Sequence, residues 1–83
     1  MGLETIGHEI ATHRKAAGLT QAQLAQRSRV GRALIAALET GSRREVGFGK
    51  LLQILAVLGL DLRLTAANAG RPTLEDLRRE DAQ

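Results

Sequence analysis

Between Gly18 and Gly41 the sequence reads "GLTQAQLAQRSRVGRALIAALETG", and this stretch limits the fold more than any other. Thr20 is placed to cap a short helix from Gln21 to Ser28, with Leu24 and Ala25 facing inward. Arg29, Val30 and Gly31 make a tight turn. A further helix then runs from about Arg32 to Thr40, burying Ile35 and Leu38, and Gly41 ends it. The second helix, "RALIAAL", is nearly bare of polar side chains, which raises the question of what it could recognise.

The flanking segments supply the rest of the core. Apolar residues fall at 3, 6, 10 and 17, with His13 in the vacant slot of that rhythm, so an amphipathic helix is expected up to Gly18. After the basic loop of 42–47, a helix over 48–58 places Phe48, Leu51, Leu52, Leu55 and Leu58 on one arc, and Gly59 stops it. Ile54 and Val57 fall at the edge of that arc or outside it. The period then changes. In "LDLRL", Leu60, Leu62 and Leu64 alternate with Asp61 and Arg63, the mark of a half-buried strand.

No other segment reads as strand, and a lone strand leaves its N–H and C=O groups unpaired. A second copy of the chain, paired antiparallel about a two-fold axis, resolves this. Leu60, Leu62 and Leu64 are therefore the expected dimer interface, which Ile54 and Val57 could extend. The charged tail begins flexible, and its "PTLEDL" could form one capped turn from Thr73.

Composition removes several alternatives. The chain has 83 residues, enough for one small core, and no cysteine, so it can hold neither a disulfide nor a thiolate metal site. Two histidines, His8 and His13, do not make a metal cage, and no apolar run approaches a membrane span or a signal-peptide core. A cytoplasmic protein without cofactor, metal or membrane partner is expected. Residues 27–44 hold Arg27, Arg29, Arg32, Arg43 and Arg44 against Glu39 alone, a concentration of basic charge suited to a polyanion. Phe48 is the sole aromatic, which argues against stacking on single-stranded bases.

In "RKAAGLTQAQLAQRSRVGRALIAALETG" the chain resembles the Cro/cI-type (Xre-like) helix-turn-helix regulators, the similarity running over 6–59. "GLTQ", "LETG" and the spacing from Gln21 through Ala25 to Ile35 carry it. The continuation "REVGFGKLLQILAVLGLDLRL" resembles the HipB-type antitoxins, which repress their own operon and bind a HipA-type kinase toxin. The implied fold is all-α: a compact four- to five-helix lambda-repressor-like DNA-binding domain over 1–59. A short β-strand over 60–65 would pair across a homodimer, followed by a flexible charged tail over 66–83. The implied partners are double-stranded DNA, a second copy and a HipA-like toxin protein.

The resemblance also assigns roles. Positions reaching base edges would be Gly31, Arg32, Ala33, Ala36 and Ala37. Among them only Arg32 can hydrogen-bond a base, its fork fitting guanine O6 and N7, while the alanines offer methyl contact to thymine. Gln21, Thr40, Arg43, Arg44 and the N–H groups of Gly47 and Phe48 would lie beside phosphates. Arg14 would pair with Glu39, tying the first helix to the end of the third. Three positions depart from the family pattern: Gly31 replaces a serine N-cap, Arg29 a turn glycine, and His13 a leucine. A competing reading is a protein-interaction module that restrains a partner, motivated by the sparse recognition helix and the charged tail. An enzyme is not expected, because "GFGK" lacks the spacing of a phosphate loop and no acid/base or nucleophile set is present.

Overall fold

The computed structural model describes residues 2–66, which form four helices: α1 (Leu3–Ala16), α2 (Gln21–Ser28), α3 (Arg32–Thr40) and α4 (Phe48–Val57). The tail expected over 66–83 lies, apart from Ala66, outside the described residues, as does the capped turn from Thr73. No fifth helix and no strand occur among the described residues.

One device closes all four helices. The residue after the last turn adopts a left-handed backbone at Gly18, Arg29, Gly41 and Gly59. The next N–H then reaches back five residues: Leu19 to Arg14, Val30 to Ala25, Ser42 to Ala37 and Leu60 to Leu55, at 2.8–3.2 Å. In three of the four the residue that follows is apolar, and the turn folds Leu19, Val30 and Leu60 back toward the core. At its start α2 has a full capping box. Gln23 N–H donates to Thr20 Oγ1 (3.0 Å) and Thr20 N–H donates to Gln23 Oε1 (2.8 Å). The N-caps of α3 and α4, Gly31 and Gly47, make no side-chain bond, leaving N–H groups free at both helix starts.

Helix α3 packs between α1 and α2, and α4 packs on α2. Ile10, Leu24, Ile35, Leu38 and Ile54 are fully buried, one or two from each helix, with Ala25, Val30, Leu51 and Leu55 completing the core. Ser28 is the only polar residue buried as a whole among the described residues, and its hydroxyl donates to the carbonyl of Leu24 (2.6 Å). Gly7 lies under α3, where a Cβ would overlap the carbonyl oxygen of Leu38 and sit 2.7 Å from its carbon. Glycine is therefore required there for α1 and α3 to approach.

Two expectations for the last helix are corrected. Ile54, placed at the edge of the core arc by its spacing, is fully buried, whereas Phe48 is 61% and Leu52 38% exposed. The buried arc is Leu51, Ile54 and Leu55, joined by half-buried Leu58, and so is rotated toward Ile54. Val57 is half-buried against the core. The third concerns the strand expected over 60–65, which does not form in the single chain, because a ladder needs a second strand and the described residues contain none. The alternation shows in burial only as far as Arg63: Leu60 and Leu62 lie half-buried on the core and Asp61 and Arg63 face solvent, but Leu64, expected on the buried face, is exposed.

Candidate nucleic-acid interface

The outer surface of α2, its turn and α3 forms a continuous face. Arg29 holds the turn at φ 61°, ψ 37°, and the chain re-enters helix at Gly31 in extended conformation. Gly31, Arg32 and Ala33 are exposed at the start of α3, and Ala36 and Ala37 are half-exposed one turn later. Arg32 has no hydrogen bond or ion pair among the described residues and is the sole long polar side chain of this group. Its neighbours are methyl groups, so α3 presents a smooth ridge with one guanidinium at its head.

Beyond α3 the chain turns sharply. Gly41 N–H bonds Leu38, and the N–H groups of Ser42 and Arg43 both bond the carbonyl of Ala37. Thr40 Oγ1 lies 3.1 Å from Ser42 Oγ and 3.2 Å from the Ala37 carbonyl, so both hydroxyls cap this corner while staying exposed. Arg43 is exposed and donates its Nε–H to the carbonyl of Glu45 (2.7 Å). Arg44 is exposed beside it, and the two line a hollow with Leu3, Glu4, Gly41 and Ser42. The free N–H groups of α4 follow at once, with Gly47 and Phe48 exposed. Anionic groups are favoured at such a helix start.

Behind this face sits a cluster joining three helices. Arg14 of α1 donates through Nε to Glu39 Oε2 (2.7 Å) and through a terminal nitrogen to Glu39 Oε1 (3.0 Å). Its other terminal nitrogen donates to the carbonyl of Leu19 (2.7 Å). Gln21, at the first turn of α2, donates its amide N–H to Glu39 Oε1 (3.0 Å). The side chains of Arg14 and Glu39 are only 11% and 6% exposed. Burial pushes the Glu39 carboxyl up, but hydrogen bonds from Arg14 and Gln21 and the nearby Arg14 and Lys15 charges outweigh it and hold the group below the ordinary carboxylate range. The bond to Glu39 likewise outweighs burial at Arg14 and raises its guanidinium further.

Two of these contacts, Gln21 to Glu39 and Arg14 to the Leu19 carbonyl, are absent from a reading of spacing alone. Gln21 has one amide proton left to offer a phosphate, from a position that Glu39 holds. Because Glu39 is neutralised inside the cluster, the surface arginines at 27, 29, 32, 43 and 44 face no acidic side chain within their own segment. His13 is half-buried at the edge of α1, with Nε2 3.5 Å from Glu9 Oε1, and takes no part in the face. No group of three His, Asp or Glu side chains among the described residues could hold a metal ion, and no described helix is long and apolar enough to cross a membrane.

No curated protein matches the chain. A family model described as "Helix-turn-helix domain" matches residues 5–68, which span α1 to α4 and the leucine-rich segment after them. The chain therefore belongs to the helix-turn-helix family of DNA-binding domains.

Proposed function

We propose that this protein is a sequence-specific double-stranded-DNA-binding transcriptional regulator that acts as a two-fold dimer and represses its own promoter. The observation that carries the reading is the exposed ridge of α3, with Arg32 at its head, flanked by Arg43, Arg44 and the open N-terminus of α4. A helix of this kind enters the major groove while the flanks lie on phosphates. Arg32 reads guanine, and Ala33, Ala36 and Ala37 let the backbone sit deep and touch thymine methyls. Gln21 and Thr40 bond phosphates at the groove's edge. One guanine and one or two thymines make too short a code for a single domain, so a dimer reading two half-sites supplies the remaining discrimination. The exposed Leu64 and the segment after Leu60, which makes no backbone–backbone hydrogen bond among the described residues, support that dimer.

The test is fluorescence anisotropy on the duplex upstream of the gene against a shuffled duplex, across a salt series. The expected result is a preference of about a hundredfold or more near 150 mM salt, lost in Arg32→Ala. Equal, weak and steeply salt-dependent binding to both duplexes would show contact with phosphate only.

A second reading, a module that binds and restrains a HipA-like kinase, is favoured by the exposed Phe48 and Leu52 on one side of α4. Truncation after Thr65 separates the two activities. Loss of kinase binding with DNA binding intact would place the partner contact in the tail.

A further inference from the structure

Residues 60–64, "LDLRL", leave the domain with three leucines at alternate positions and one charge of each sign between them. Leu60 and Leu62 flank an apolar groove together with Ile6 and Leu55, while Leu64 is 95% exposed. The N–H of Leu60 closes the turn on Leu55 (2.8 Å). From Asp61 to Ala66 no backbone group bonds another backbone group among the described residues. Asp61 and Arg63 lie 3.6 Å apart with side chains 78% and 84% exposed, a pair weak enough for either charge to take another partner.

We propose that this segment pairs with itself in a second copy in one antiparallel register, with Leu62 opposite the partner's Leu62. The proposal rests on the two-fold dimer proposed above and specifies its contact. Directly opposed residues of an antiparallel pair share a face. With the axis at Leu62, Leu60 meets the partner's Leu64 and Leu64 meets the partner's Leu60. Asp61 meets the partner's Arg63, and Arg63 meets the partner's Asp61. All three leucines are then opposed by leucine, and both charges by the opposite charge.

Every neighbouring register is worse. A slip of two residues one way sets Asp61 against the partner's Asp61, and two the other way sets Arg63 against the partner's Arg63. A slip of one residue opposes leucine with a charge at each step. Parallel pairing in register stacks like charge on like charge. The five residues are therefore complementary to themselves in a single arrangement, and this identifies the occupant as a second copy of the chain. That arrangement also brings the partner's Leu64 to Leu60 at the rim of the apolar groove, where its exposed surface is covered. The Leu62 N–H donates to Asp61 Oδ1 (3.0 Å) in the single chain; in the pair, the N–H and C=O groups of the alternate residues that face the partner gain backbone partners.

The experiment is sedimentation equilibrium of the full chain without DNA. The wild type is expected to be dimeric. Asp61→Arg or Arg63→Asp alone turns two symmetric attractions into repulsions, and each is expected to raise the dimer dissociation constant by about tenfold. The double exchange, Asp61→Arg with Arg63→Asp, restores the wild-type value to within about twofold, since the opposed pairs are again of opposite sign. Both positions are exposed, so circular dichroism of the variants should match the wild type.

Mild oxidation gives a second readout, because the chain has no cysteine. Leu62→Cys should cross-link to itself. Leu60→Cys and Leu64→Cys should cross-link only to each other in a mixture. A chain that stays monomeric at all concentrations overturns both dimer and register. A dimer without rescue by the double exchange, or one in which Leu60→Cys links to itself, overturns the register and leaves the dimer. Neither outcome touches the role of Arg32, which is read on duplex DNA.

Discussion

Arg29 is the one residue other than glycine, among those described, with a left-handed backbone. It occupies the same place after α2 that Gly18, Gly41 and Gly59 occupy after the other helices. A side chain with a Cβ is strained there by about 1 kcal/mol. Replacing it should release that strain, so Arg29→Gly is expected to raise the melting temperature by about 4–8 °C. An unchanged or lower value in a thermal melt would show that the arginine side chain itself holds the turn. Gly7 poses the opposite case. Its Cβ would overlap the Leu38 carbonyl, a backbone atom that cannot step aside as a side chain does. Gly7→Ala must push α1 off α3 and is expected to cost at least about 2 kcal/mol, a large part of the stability of so small a domain. The same thermal melt checks it, and a drop of less than a few degrees would show that α1 can shift at little cost.

At the scale of the helices, Glu39 is the junction: one carboxylate accepts from α1 through Arg14 and from α2 through Gln21, while belonging to α3. Glu39→Gln removes the charge and sets amide protons against the Arg14 guanidinium. A loss of about 1–3 kcal/mol is expected, with weaker DNA binding because Gln21 loses its anchor. The carboxyl titrates lower in the folded chain than in the unfolded one. As pH falls the unfolded chain takes up the proton first, so this stabilisation is complete above the ordinary carboxylate range and is lost as pH drops through the folded value. Acid unfolding below the ordinary carboxylate range should therefore be steeper in the wild type than in Glu39→Gln. Equal slopes would mean that other carboxylates carry the acid sensitivity.

The helix–turn–helix was legible in the sequence because its signals are local: a Thr20 cap, Gly41 at a helix end and apolar residues at helical spacing. Less of α4 was legible. Spacing alone put Phe48 on the core arc and Ile54 at its edge or outside it, but which side of a largely apolar helix turns inward depends on where α2 lies. Gly7 gave no signal, since the need for a missing Cβ exists only once α3 is in place. The strand expected over 60–65 from its alternation is not formed among the described residues, since a ladder depends on a second strand that the chain itself does not supply there.

For the molecule as a whole, the proposed function divides charge between a face that holds DNA and a single side chain that reads it. With Glu39 withdrawn into its pair, Arg43 and Arg44 in the proposed function act on phosphates and Arg32, the one long polar side chain at the head of the α3 ridge, reaches bases. These roles predict different behaviour in one titration. In a dimer Arg44→Ala removes two phosphate contacts, so the slope of log affinity against log salt should become shallower by about 1.8. Native and shuffled duplexes should weaken together, leaving their ratio unchanged, because phosphates are the same in both. Arg32→Ala should do the reverse: the ratio falls by at least about tenfold, while the slope on shuffled DNA changes little. If Arg44→Ala lowers the ratio as much as Arg32→Ala does, then Arg44 reads sequence too, and the division between a holding face and a reading side chain fails.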